Sequence, residues 1–191
     1  MIVGILLAAG EASRMGKAKQ LLQYQGQTLI HRAVLSLLHA PCDRIVVVLG
    51  AHADSIRPGL THLPVKIIHN PNWQEGMSSS IKTGMTLVPE NADAVMISLV
   101  DQPKVDANWL SQLLLARKRQ EAKLVVTDYG HKMGVPALFS NPWLPALRSL
   151  QGEYGARELI RSNQDQALAL SFEGAAQDID TPEDYQQLLQ E

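Results

Sequence analysis

The 191-residue chain has a single cysteine, Cys42, which excludes an intrachain disulfide and any cysteine-rich metal site. Cys42 follows Pro41 at the start of an apolar run, so it is expected to be a buried structural thiol. No stretch approaches the roughly 18 to 20 consecutive apolar residues that a bilayer crossing needs. The apolar run 2–10 has no basic region before it and opens into a polar, glycine-containing loop, so it reads as a strand and not as a signal peptide. A soluble, cytoplasmic protein is expected. Charge of one sign is missing too: 17 basic and 19 acidic residues leave a net −2, which gives no general reason to expect nucleic acid or an acidic membrane as partner. Internal repeats, low-complexity tracts and linker-like composition are absent. No histidine pair has a metal-binding spacing with a third ligand, and no Ser/His/Asp set can be assembled.

What is present is a globular composition, 46% hydrophobic, at a length that favours one domain over 1–191 and buries roughly 70% of the unfolded surface. Short apolar runs at 2–7, 44–49, 65–69, 94–100, 124–128, 137–139 and 167–172 alternate with amphipathic segments at 28–39, 78–87, 108–120, 154–162 and 182–190. Several of the runs are apolar on both faces, as in a parallel sheet covered by helices on both sides. The fold class is therefore α/β, a three-layer α/β/α domain with a mostly parallel sheet. The last helix has the clearest start: Thr181 as cap, Pro182 at the first helical position, and Glu183 and Asp184 at the positive end of the dipole.

The first loop, Leu7-Ala8-Ala9-Gly10-Glu11-Ala12-Ser13-Arg14-Met15-Gly16-Lys17-Ala18-Lys19-Gln20, carries small residues and then three cations. Small residues let backbone N–H groups approach an anion closely, and ligands of open α/β sheets bind beyond the carboxyl ends of the strands. Two better-known phosphate loops are excluded. Five residues, not four, separate Gly10 from Gly16, and Ala18 follows Lys17 where a Ser or Thr is needed; the dinucleotide glycine fingerprint is absent as well. A second block, Gly76-Met77-Ser78-Ser79-Ser80, reads as a glycine turn entering a helix, a site suited to an anion or a ribose, with serine capping as the alternative. Asp101 should emerge at the carboxyl end of the run 94–100, where it reads either as a magnesium ligand or as a cap of the following turn. Asp106 reads as an N-terminal helix residue and Trp73 as packing.

The segment Leu7-Ala8-Ala9-Gly10-x-x-Ser13-Arg14-Met15-Gly16-x-x-Lys19-Gln20-Leu21-Leu22 resembles the signature of the MobA-like nucleotidyltransferases, and within them the molybdenum cofactor cytidylyltransferases of the MocA-like branch. The resemblance continues through Asn70 to Ser80, Asp101-Gln102-Pro103, Gly134 to Phe139, Gly152 to Leu159 and Asp178 to Asp184, in the family's order and over nearly the whole chain. It implies a nucleotide-diphospho-sugar transferase-like (Rossmann-like) fold. It further implies that Ala8, Ala9 and Gly10 supply backbone to a triphosphate, that Arg14 and Lys19 hold its β- and γ-phosphates, and that Gly76, Ser78 and Ser79 contact the nucleotide. Asp101 and Asp180 become the ligands of Mg2+, or Mn2+ in its place, with Asp178 as the alternative to Asp180. Arg14, Lys19 and Asp101 are the implied catalytic set.

The Ala-Ala-Gly arrangement resembles the cytidylyl branch, the guanylyl branch tending to Leu-Ala-Gly-Gly; the extra methyl on Ala9 narrows the space for a purine, an effect worth only about 1–3 kcal/mol. The resemblance thus implies transfer of CMP from CTP to the phosphate of molybdopterin, a phosphomonoester, with release of pyrophosphate, and a transient contact with a molybdenum hydroxylase or its maturation chaperone. Two departures are visible: Ala18 stands where the family often has Pro, and Val135 where a larger polar residue is common. The acceptor side is placed at Gly152 to Arg157 and the loop carrying His131. A guanylyltransferase, a sugar- or polyol-phosphate nucleotidyltransferase, and a non-catalytic nucleotide or cofactor carrier are the rival readings.

Overall fold

A computed structural model of the protein describes residues 1–130 and 132–190; His131, named above on the acceptor loop, lies outside them. All seven expected apolar runs are strands of one sheet: β1 (Ile2–Ala8), β4 (Arg44–Leu49), β5 (Lys66–His69), β6 (Ala94–Leu99), β7 (Leu124–Asp128), β8 (Met133–Ser140) and β9 (Ala167–Ser171). Their order is β5-β4-β1-β6-β8-β7-β9. Strand β8 runs antiparallel to both β6 and β7, and the other neighbours are parallel. A two-stranded ribbon, β2 (Gln23–Tyr24) and β3 (Gln27–Thr28), follows the first loop and was not anticipated, because two residues per strand give no periodicity to read.

The period-two alternation of β1 explains the layering. Leu6 and Ala8 face one core with Val34 of α1 (Leu29–His39), Leu110 and Leu113 of α4 (Ala107–Gln120) and Leu188 of α7 (Pro182–Leu189). Ile5 and Leu7 face the other, with Ile81 and Met85 of α3 (Met77–Met85), Leu147 of α5 (Leu144–Arg148) and Ile160 of α6 (Ala156–Arg161). A further short helix, α2 (Ala53–Ile56), follows β4.

Helix starts follow the expected chemistry. Thr28 accepts from the His31 N–H, Asp106 from the Trp109 N–H at 2.8 Å, and Thr181 with Asp184 closes a reciprocal capping box behind Pro182. Cys42 packs against the first core but is only half-buried. Among the described residues no helix is long and apolar enough to cross a membrane.

Strands β1 and β6 are parallel neighbours, Leu7 opposite Leu99, so their carboxyl ends open side by side. The polypeptide leaving β1 is the glycine-containing loop that carries Arg14 and Lys19, and the polypeptide leaving β6 is the turn carrying Asp101.

Candidate active site

The loop after β1 is held from within. Gln20, fully buried, donates its amide to the Ala8 carbonyl at 3.1 Å and the Gly10 carbonyl at 2.9 Å, folding the loop back over the strand end. On the far side Gly50 packs so tightly that a Cβ there would lie 2.4 Å from the Ala9 oxygen and 2.8 Å from the Trp73 Cβ. A Cβ added at Gly10, by contrast, meets nothing within 4 Å. The strand-to-loop backbone from Ala8 to Gly10 thus forms one wall of a cleft of about 350 Å³.

The opposite wall is Gly76, Met77 and Ser80 at the start of α3. Gly76 has φ +95° and a Cβ on it would lie 2.6 Å from the Glu153 Cα, so only glycine brings this turn against the segment 152–155. The serines divide in a way that differs from expectation. Ser78 is buried and its hydroxyl donates to the Gln151 carbonyl at 3.0 Å. The Ser79 hydroxyl lies 2.8 Å from the carbonyls of Asn72 and Gly76 and accepts from Asn70 Nδ2 at 2.8 Å. Both side chains are consumed in tying the loop together, a consequence of a polar turn being buried beneath its own backbone. Ser80 lines the cleft instead; its hydroxyl accepts from Asn70 at 3.0 Å, and among the described residues no acceptor takes its proton. Asn70 and Ser80 both stand in the motif, but nothing in their spacing marks the buried Asn70 as the hub of this block or Ser80 as the serine on the cleft.

The charged residues converge. The Lys19 ammonium donates to Asp101 Oδ2 at 2.5 Å and to Asp180 Oδ1 at 3.0 Å, and Arg14 donates to Asp180 Oδ2 at 2.9 Å. Residues 82 and 161 positions from Lys19 in the chain therefore meet on one nitrogen. The side chains of Lys19 and Asp101 are only 11% and 17% exposed, whereas Arg14 is 66% exposed at the rim. Burial works against the charged lysine, but Asp101 and Asp180 outweigh it and hold its pKa above the ordinary value. Burial likewise opposes ionisation of Asp180, yet Lys19 and Arg14 hold its carboxyl below the usual range.

Tertiary bonds fix these positions. The Ile179 N–H donates to the Asp101 carbonyl at 3.0 Å, and Arg32 of α1 donates to the Pro103 carbonyl at 2.8 Å. Buried Gln102 donates its amide to the carbonyls of Val135 and Ala175, joining the Asp101 turn to β8 and to the C-terminal segment. Asp178, although open to solvent on one side, is pushed up to about 7 by burial and by the charges of Asp101 and Asp180.

A second cavity, about 360 Å³, adjoins the first across Met77 and Leu99. Tyr129, Lys132, Met133, Val135 and Arg157 line it together with Asp178, so it presents apolar walls and two cations. His69 lies outside both, in a shallow recess beside Gly50 and Trp73.

Among the described residues no group of three or more His, Cys, Asp or Glu could hold a metal ion. Two carboxylates are nevertheless the usual protein share of a magnesium site completed by phosphate oxygens and water. Among the described residues Asp101 Oδ1 is buried without a hydrogen-bond partner, a lone-pair donor left over that a cation would satisfy. The donor set fits a divalent ion held jointly with a ligand's phosphates.

Two adjoining cavities lie at the carboxyl ends of central strands, the first lined by Lys19 and Asp101, which is where open α/β sheets bind their ligands. Residues 4–167 match the family described as the MobA-like NTP transferase domain, and the chain belongs to that family. A nicotine blue oxidoreductase of Paenarthrobacter nicotinovorans is 30% identical over 199 residues, covering 98% of this chain and 96% of the relative. The molybdenum cofactor cytidylyltransferase of Escherichia coli (strain K12) is 24% identical over 182 residues, with 95% and 92% covered. The crystal structure of Rv0371c from Mycobacterium tuberculosis H37Rv in complex with manganese superposes with a TM-score of 0.83 at 26% identity, covering 99% of this chain and 98% of that one.

Proposed function

We propose that the protein is a divalent-metal-dependent cytidylyltransferase that transfers CMP from CTP to a phosphomonoester of the molybdopterin type and releases pyrophosphate. The observation that carries this reading is the meeting of Lys19, Asp101 and Asp180 at a glycine-walled cleft that adjoins a second cavity lined by Lys132 and Arg157 as well as Glu153 and Asp178. The backbone of Ala8, Ala9 and Gly10 takes the triphosphate, and Lys19 and Arg14 turn from the carboxylates to its β- and γ-phosphates. The acceptor phosphate, held from the second cavity by Lys132 and Arg157, attacks the α-phosphorus in line; the new P–O bond forms as the bond to pyrophosphate breaks. The attacking oxygen is already ionised, so no protein base is needed, and positioning with charge neutralisation carries the rate. Lys19 works most strongly as charge accumulates on the leaving pyrophosphate.

Asp101 and Asp180 would hold Mg2+ or Mn2+, which supplies charge neutralisation on the phosphates when bound. Gly76 and Ser80 serve the nucleoside from the other wall; of the three serine hydroxyls, Ser80 retains a free proton facing the cleft. The methyl of Ala9 supports a pyrimidine over a purine. The cytoplasm supplies both substrates in this reading, and a molybdenum hydroxylase or its chaperone receives the product.

A second reading is favoured by the relative named as an oxidoreductase: the same scaffold used for a redox reaction, since a fold does not fix a chemistry. One experiment separates the readings. Thermal shift with CTP, GTP, ATP, UTP, NADH and NADPH, each with and without Mg2+, is followed by pyrophosphate release with molybdopterin. A metal-dependent shift largest with CTP, and pyrophosphate release lost in Asp101→Asn, are expected. Equal or better turnover with GTP removes the cytidylyl assignment, and a shift confined to the nicotinamide nucleotides replaces transfer with redox chemistry.

A further inference from the structure

Lys19 lines the cleft, but its ammonium is already engaged. Its ammonium lies within 3.0 Å of a carboxylate oxygen from each of the two candidate metal ligands, Asp101 and Asp180. Magnesium binds carboxylate oxygens at about 2.0–2.1 Å, so an ion on these oxygens and the ammonium compete for one place. Coulomb repulsion between a monovalent and a divalent cation a few ångströms apart adds to the steric conflict. Lys19 is also an imperfect occupant: it satisfies Asp101 Oδ2 and, among the described residues, leaves the buried Oδ1 without a partner. Arg14 is different, reaching the other oxygen of Asp180, Oδ2, from the exposed rim.

We propose that Lys19 is a tethered counter-ion that fills the divalent-metal position in the nucleotide-free protein, so that metal loading is coupled to arrival of the triphosphate. The inference rests on the reading of Asp101 and Asp180 as metal ligands. The root of Lys19 is fixed beside the phosphate-binding backbone, because its neighbour Gln20 is bonded to the Ala8 and Gly10 carbonyls. Only the side chain has to swing. A triphosphate offers the ammonium replacement oxygens, and its departure from the carboxylates opens the place for the ion. Linkage then runs in both directions: the nucleotide tightens metal binding by the factor by which metal tightens nucleotide binding. The arrangement keeps two close carboxylates neutralised when the site is empty of substrate, and it disfavours a metal ion held without nucleotide.

The test is a Mn2+ titration followed by the electron paramagnetic resonance of the free ion, which reports binding and not turnover. Wild type, Lys19→Met, Arg14→Met and Asp101→Asn are compared with and without CTP. In nucleotide-free protein Lys19→Met should bind Mn2+ about twentyfold or more tightly than wild type, and the tightening by CTP should shrink correspondingly. Arg14→Met, which removes an equal charge from outside the gap, should change nucleotide-free affinity by less than about threefold. Lys19→Gln replaces Lys19→Met if the latter loses its cooperative thermal transition. The proposal is overturned if the Lys19 variants bind Mn2+ no tighter than wild type, or if Arg14→Met matches them. Failure of the underlying reading looks different: Asp101→Asn would then leave Mn2+ affinity unchanged in every state.

Discussion

The backbone N–H of Ile179 donates to the carbonyl oxygen of Asp101 at 3.0 Å, and this bond brings the C-terminal segment to the end of β6. It sets Asp180 beside the ammonium that Asp101 already holds. Two acids nearly eighty residues apart become one site through a main-chain contact that neither side chain makes.

The three serines of α3 should separate on substitution. Ser79→Ala leaves the buried Asn70 amide short of a partner and should cost about 1–3 kcal/mol of stability in urea denaturation. Ser80→Ala should lose CTP affinity by more than Ser78→Ala does, measured by calorimetry on folded protein. Equal CTP affinity in the two would remove the assignment of Ser80.

At Gly76 both the positive φ and the approach of Glu153 demand glycine. Gly76→Ala should destabilise the protein by about 1–3 kcal/mol from the backbone conformation alone, with the contact adding to it. A denaturation midpoint equal to wild type would show that the turn relaxes freely.

Asp178 gives a pH dependence of known sign. Its folded pKa, about 7, lies above the unfolded value near 3.9, so between those values the folded state binds more protons. Stability from this group is present in full at low pH and falls as pH rises through that window. Asp178→Asn should therefore gain melting temperature relative to wild type as pH goes from 5 to 8, in metal-free and nucleotide-free buffer. A constant difference across the range would contradict the raised value.

The Cys42 thiol is pushed up to about 12 by burial and by the neighbouring Asp43. Thiolate is the reactive form, so alkylation by iodoacetamide at pH 8 should be slower than for a free cysteine by roughly three orders of magnitude. Comparison of folded with urea-unfolded protein checks this; equal rates would show an accessible, ordinary thiol.

Much of the architecture was written along the chain, because its signals are local. Apolar runs marked all seven sheet strands, and Thr181-Pro182 marked the start of α7 where the capping box is found. The short run 137–139 was the least complete, since β8 begins at Met133, where glycine and proline interrupt the apolar pattern. The sheet's strand order and the antiparallel insertion of β8 had no local sign.

The sequence by itself determined the α/β layering and the residue types available for phosphate and cation chemistry, because periodicity and motif spacing are properties of neighbouring residues. Tertiary structure alone decided which of them meet: Lys19 between Asp101 and Asp180, and Gln20 beneath the loop it fixes. It also turned Ser78 and Ser79 inward and left Ser80 on the cleft. Such choices depend on burial and on hydrogen bonds between distant segments, where each polar group takes whichever partner the packed chain brings within reach.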